Sequence, residues 1–457
     1  VTGPLGAAGP LEVVRPYYSG GSLADVLPSA LAALGVATTP GSRFRDRLSA
    51  SSAPGPADPL GLAGPLAGVR RIAVLLLDGL GWYQLPVAAP YAPTLADLAR
   101  RFGRPLTSGF PSTTPTSLVT LGTGAAPGAH GVLGFRLNVP GTDRVLTHID
   151  WPGSPAAGPD FPGGGPASPV GGDRPGASWP GGGLPDRPGS PTEPAAAGTV
   201  VEDPDPRRWQ PLSTQFERAE AAGVTVSVVS RPELARTGLS LAAYRAGTHR
   251  GAGDVDTLAT EMLAALTAGS GPTLVYGYHP DVDRYGHRDG VGSVRWRAAV
   301  AEVDRLLTRL VDGLPSDAAL LVTADHGQLD IPAGARFDLD TDPRLRAGVR
   351  VVAGEARVRY LHTEPGAVGD VLATWTEVLG AGAWVVTREE AVAAGWFGPV
   401  SEAHLPRVGD VVAVCVAPMV VVASVESPIE AGLVAYHGSC TATEMTIPLL
   451  VVRPAGG

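Results

Sequence analysis

The chain has 457 residues, 44% hydrophobic and 17% charged, enough apolar material for a sizeable core and incompatible with global disorder; the length suits one large α/β domain or two smaller ones. Arginine is the only long basic side chain, and 35 of them against 44 acidic residues leave a formal charge of −9. That balance disfavours general nucleic-acid binding, because a phosphate backbone needs a basic surface, but it leaves room for a small phosphate-ester substrate whose charge bound cations can balance.

Residues 1–68 are rich in Gly, Pro and Ala and read as an N-terminal extension with one helical segment, Ser22–Leu34, weakened by Pro28. Arg71–Leu77 is a largely apolar run ending at Asp78-Gly79, as expected for a central strand of a parallel sheet covered on both faces. A helix follows over Thr94–Phe102, and another begins near Pro115. Residues 152–198 repeat Gly, Pro, Ser and Asp with almost no large aliphatic side chains, and read as a flexible insert. Alternation then becomes regular. Helices are expected over Ser213–Ala222, Val255–Leu266 and Val294–Val311, with strands over Val224–Val229, Thr273–Tyr278 and Ala318–Thr323. Residues 331–436, with a helix over Ala367–Leu379, read as a sub-domain at the sheet edge, and Leu449–Val452 closes the chain as a last apolar strand. The pattern predicts an α/β fold: a doubly wound, mostly parallel sheet with helices on both faces, residues 69–457 forming the main domain.

Two cysteines, Cys415 and Cys440, cannot make a disulfide framework and read as buried thiols. The N-terminal residues show no basic stretch followed by an apolar one, and the run Val411–Ala423 contains Pro418 and is too short for a bilayer. Neither a signal peptide nor a membrane span is expected, and a cytoplasmic location is the default.

Open α/β sheets bind ligands at the carboxyl ends of their strands. Asp78 ends the first apolar run. Asp283 and His287 follow the strand ending at Tyr278, Asp325 and His326 follow the strand ending at Thr323, and His437 follows the short run Leu433–Ala435. Three carboxylates and three imidazoles suit two divalent ions, zinc first and manganese as the alternative. The spacing of four from Asp283 to His287 suits one helical turn or a compact loop, Gly286 favouring the loop, and Gly327 permits a turn after Asp325-His326. Pro115 suits the first helical position, which makes Thr114 the N-cap at a helix end that favours phosphate. A threonine hydroxyl beside a cation is a candidate nucleophile.

The ordered set Asp78, Thr114, Asp283/His287, Asp325/His326 and His437 resembles the alkaline phosphatase superfamily. Within it, Thr123-Gly-Ala-Ala-Pro-Gly-Ala-His-Gly131 is similar to the Thr-Gly-x-x-Pro-x-x-His-Gly signature of the type I phosphodiesterase/nucleotide pyrophosphatase branch. The resemblance implies Asp78, Thr114, Asp325 and His326 around one metal and Asp283, His287 and His437 around the other. It implies hydrolysis of phosphodiester or nucleotide pyrophosphate bonds through Thr114, nine positions before the signature. The alternative spacing, Thr-x-Pro, points to Thr113. The branch's phosphate-binding Asn falls on Phe135, with Arg136 and Asn138 as substitutes. The stretch Tyr436–Leu449 also resembles cofactor-independent phosphoglycerate mutases, which keeps a monoesterase or mutase-like transferase as the alternative, ahead of a silent phosphate-binding protein.

Overall fold

A computed structural model of the protein describes residues 11–18, 20–36, 58–152 and 203–454. The expected flexible insert, apart from residue 152, and much of the expected N-terminal extension lie outside the described residues.

The central sheet explains why the strongest apolar runs lead into the candidate ligands. Strand β1 (Arg71–Leu77) has Ile72, Val74 and Leu76 in the core of one face and Ala73, Leu75 and Leu77 in the core of the other. Period-2 alternation with apolar residues on both sides is what a strand buried between two helical layers requires. Helix α1 (Val26–Ala33) holds Pro28 in its first turn, where no intrahelical N–H is lost. Helix α2 (Pro93–Phe102) precedes β2 (Gly103–Thr107), and α3 (Thr114–Thr123) follows it. Helix α4 (Gln215–Ala221), capped by Thr214, leads to β3 (Thr225–Ser230) and β4 (Thr248–Gly251). Then come α5 (Val255–Thr267), β5 (Thr273–His279), α6 (Asp281–Asp289), α7 (Val294–Asp312) and β6 (Ala318–Thr323).

An antiparallel four-stranded sheet follows, made of β7 (Val349–Glu355), β8 (Val358–Thr363), β9 (Ala383–Thr387) and β10 (Val411–Cys415) in the order β7-β8-β10-β9, with α8 (Val368–Leu379) packed on it. The last strand, β11 (Thr446–Val452), returns to the main sheet, whose order is β2-β11-β6-β1-β5-β3-β4. All neighbours from β6 to β4 are parallel; β11 runs antiparallel to β2 and β6. Helices α3 and α4 contribute to one face's core, α2, α5 and α7 to the other. The fold is a mostly parallel α/β sheet layered by helices, with β1, β5 and β6 side by side at its centre. No helix among the described residues is long and apolar enough to cross a membrane.

Three local expectations change. The segment from Asp283 to His287 is helical, inside α6, so the spacing of four stacks both side chains on one face. The N-cap of α3 is Thr113, in extended backbone, and Thr114 is its first residue with Pro115 second. Gly327 does not have positive φ; glycine is required there because a Cβ would lie 2.1 Å from the Thr443 carbonyl oxygen.

Candidate metal centre and nucleophile

The carboxyl ends of β1, β5 and β6 bring the ligand candidates together. Asp78 follows β1; its N–H donates to the His279 carbonyl (3.0 Å), and its own carbonyl accepts from the Asp283 N–H (3.0 Å). Gly79 turns the chain at φ 72° and passes so close that a Cβ would lie 2.8 Å from the Asp283 Cα. Both conditions exclude other residues. His437 follows the short strand Ala435–Tyr436, which pairs with Leu329–Asp330 just beyond Asp325 and His326.

Two clusters result. Asp78, Asp325 and His326, all buried, offer ligand atoms within 4.8 Å of one another, and so do Asp283, His287 and His437. The clusters adjoin, since the rings of His326 and His437 stack at 3.6 Å. The Thr114 hydroxyl reaches the first cluster, 3.1 Å from His326 Nε2. Thr114 is half-buried. Thr113 is fully buried, its hydroxyl beside the Glu355 carboxyl but outside hydrogen-bonding geometry.

Hydrogen bonding fixes the imidazole tautomers. His437 Nδ1 faces the Ser112 carbonyl at 3.0 Å, and His287 Nδ1 faces the Ala435 carbonyl at 2.8 Å. A carbonyl only accepts, so each Nδ1 carries a hydrogen, and a neutral ring then presents its lone pair at Nε2. Those two Nε2 atoms are 3.0 Å apart, an approach that a shared proton or a cation against both would relieve. His326 Nδ1 likewise donates to the Gly327 carbonyl (3.2 Å) and turns Nε2 towards Asp78 (3.6 Å) and Asp325 (3.4 Å). Asp78 Oδ1 and Asp325 Oδ2 are buried with no hydrogen-bond partner. Burial, then the charges of Asp325 and Asp283, push the Asp78 carboxyl well above the usual carboxylate range, and burial raises Asp283 too. Burial and the neighbouring His326 and His287 push His437 well below the usual histidine range. Orphaned carboxylate oxygens facing bare imidazole nitrogens are a donor set for divalent cations of the zinc type.

Several groups around these ligands escaped the sequence reading. The Tyr278 hydroxyl donates to Asp78 Oδ2. Gln328 Nε2 donates to Asp283 Oδ1 and to the Asp283 carbonyl (3.0 Å). Glu355, at the end of β7, lies 3.8 Å from His437 Nδ1, and burial raises its carboxyl to about 8. Their only sequence signal was proximity to the motif for Tyr278 and Gln328; Glu355 had none.

The substitutes for the branch's Asn are engaged elsewhere. Arg136 donates to Ser427 Oγ (2.7 Å) and the Gly354 carbonyl (3.3 Å) and pairs with Glu430 at 3.5 Å. The Asn138 amide closes its own hairpin through the Thr142 and Arg144 carbonyls. Phe135 is half-buried and has no side-chain donor.

Residues 72–439 match the family described as type I phosphodiesterase / nucleotide pyrophosphatase. The chain belongs to that family. Among solved structures, the murine ectonucleotide pyrophosphatase / phosphodiesterase 5 is similar at a TM-score of 0.59 and 16% identity, over 84% of this chain and 88% of that one. An inactive form of it, with one threonine replaced by alanine, is in complex with AMP. Phosphonoacetate hydrolase from Sinorhizobium meliloti, in complex with phosphonoformate, is similar at a TM-score of 0.56 and 19% identity, over 85% and 91%. At such identities the likeness establishes the fold alone. No curated protein sequence matches the chain. The family signature, residues 123–131, sits at the far end of α3. Gly124, at φ 66°, terminates that helix, and His130 faces the Thr120 hydroxyl at 3.0 Å. It anchors the helix that presents Thr114.

Proposed function

We propose that this phosphoryl hydrolase cleaves phosphodiester or nucleotide pyrophosphate bonds, with Thr114 as nucleophile and two divalent cations, zinc first and manganese second. One site comprises Asp78, Thr114, Asp325 and His326, the other Asp283, His287 and His437. The observation that carries the reading is the convergence of six ligand atoms beside an accessible Thr114 hydroxyl at the start of α3. Cations in the two sites supply Lewis-acid stabilisation of phosphoryl charge and favour the threonine alkoxide.

The chain's own residues do the positioning. The first-turn N–H groups of α3 face the incoming anion, and Pro115 leaves one fewer donor there. Thr114 Oγ1 forms a bond to phosphorus as the bond to the leaving oxygen breaks; the hydroxyl proton ends on that leaving oxygen, and the phosphoryl group, still carrying its other substituent, is esterified to Thr114. Water then attacks the same phosphorus from the vacated side, returning the hydroxyl to Thr114. Thr113 is fully buried, which supports the half-buried Thr114 as the nucleophile. Because Arg136 is spent on Glu430 and Ser427, it is not free to meet the second charge of a monoester, which favours a diester. The AMP complex of the murine relative supports a nucleotide as one half of the substrate.

The test compares a chromogenic phosphodiester with the matching monoester, with and without chelator. Faster, chelator-sensitive turnover of the diester is expected. Equal and chelator-insensitive background on both contradicts the enzyme reading.

A further inference from the structure

Gln328 follows Asp325, His326 and Gly327 of one cluster, yet its side chain is committed to the other. It is 1% exposed. Nε2 donates to both the side chain and the main-chain carbonyl of Asp283. Both partners are acceptors, so the orientation of the amide is fixed. The Gln328 backbone carbonyl accepts from Gln84 Nε2 at 2.5 Å. On α6, Gly286 makes the space, since a Cβ there would lie 1.8 Å from Gln328 Oε1. Gly286 lies inside a helix and is not at positive φ, so neither backbone conformation nor helix propensity calls for glycine at this position. The next residue, Leu329, pairs with Tyr436, one position before His437. Val434 N donates to the His287 carbonyl at 2.7 Å.

We propose that Gln328 is a positioning residue that assembles the Asp283/His287/His437 site before a cation arrives. It holds Asp283 Oδ1 so that Oδ2, 3.4 Å from His287 Nε2, is the oxygen offered. This inference rests on the two-cation reading. Because the same short segment carries Asp325 and His326, a cation at the first site fixes the backbone from which Gln328 reaches, and ordering of one site favours loading of the other.

The test is equilibrium titration of the full chain, stripped by chelator, with Zn2+ against a chromophoric competitor. Wild type, Gln328→Met and Gly286→Ala are compared. Wild type is expected to take up two ions. Gln328→Met should bind the first within about threefold of wild type and the second about 10–100-fold more weakly, the usual cost of losing a group that orients a ligand. Gly286→Ala suits the helix interior and displaces the amide, so it should reproduce that selective loss even where the methionine variant folds poorly. Unchanged affinity for both ions in both variants overturns the inference, as does equal weakening of both ions. A wild-type chain that binds no ion overturns the two-cation reading itself, and with it this inference.

Discussion

Each of the three buried carboxylates has one oxygen held by a neutral donor, leaving the other to face the cluster. Tyr278 holds Asp78 Oδ2, the Gly79 and His326 N–H groups hold Asp325 Oδ1 at 3.0 Å each, and Gln328 holds Asp283 Oδ1. Tyr278→Phe should therefore weaken the first cation by about 10-fold with little change at the second, measurable in a zinc titration. The candidate ligands, which the structure gathers into two clusters, were legible in the sequence because each follows an apolar run. Their supporting groups were not, because Tyr278 meets Asp78 across 200 residues and Glu355 meets His437 only through the second sheet. Away from the site, burial pushes His148 down to about 4, while an unfolded histidine titrates near 6.5. As pH falls from 7.5 to 5 the unfolded chain takes up this proton and the folded chain does not, so stability is lost. His148→Phe, replacing a ring that packs edge-on against Trp151, removes that penalty. Its stability relative to wild type should rise by about 2 kcal/mol over that range, read from denaturant unfolding at both pH values.

Helix α3 links the family signature to the chemistry: its first turn carries Thr114, and its last is terminated by Gly124. Its seat is tight at Gly122, where a Cβ would lie 2.0 Å from the Ala243 carbonyl oxygen in the helix Gly238–Ala243. Gly122→Ala should cost about 1–3 kcal/mol and lower turnover by shifting Thr114. Gly253→Ala, which meets open space, should stay within about 0.5 kcal/mol in the same unfolding assay. The strands were legible as elements, since β1, β5 and β6 are apolar on both faces. Helix α6 was not, because Gly286 reads locally as a loop residue while its real constraint is the Gln328 amide. The cap of α3 shifted by one residue for a related reason: proline is accepted at the second helical position as well as the first, and sequence alone does not separate them.

At the scale of the molecule, strand order was not legible, because the antiparallel insertion of β11 between β2 and β6 is a long-range pairing with no local signature. Ions that bind only the folded chain should stabilise it by mass action, about 2.7 kcal/mol per site at a hundredfold excess over Kd. The thermal midpoint should rise with added zinc and fall with chelator, as differential scanning calorimetry would read. The proposed chemistry is attack of Thr114 on phosphorus beside two bound cations. It is tested most directly by turnover of a chromogenic phosphodiester by Thr114→Ala, with metal content measured on the same sample. A loss of turnover on the order of 10^3-fold or more is predicted, with two ions still bound per chain. Full turnover by Thr114→Ala, with the loss found in Thr113→Ala instead, would contradict it.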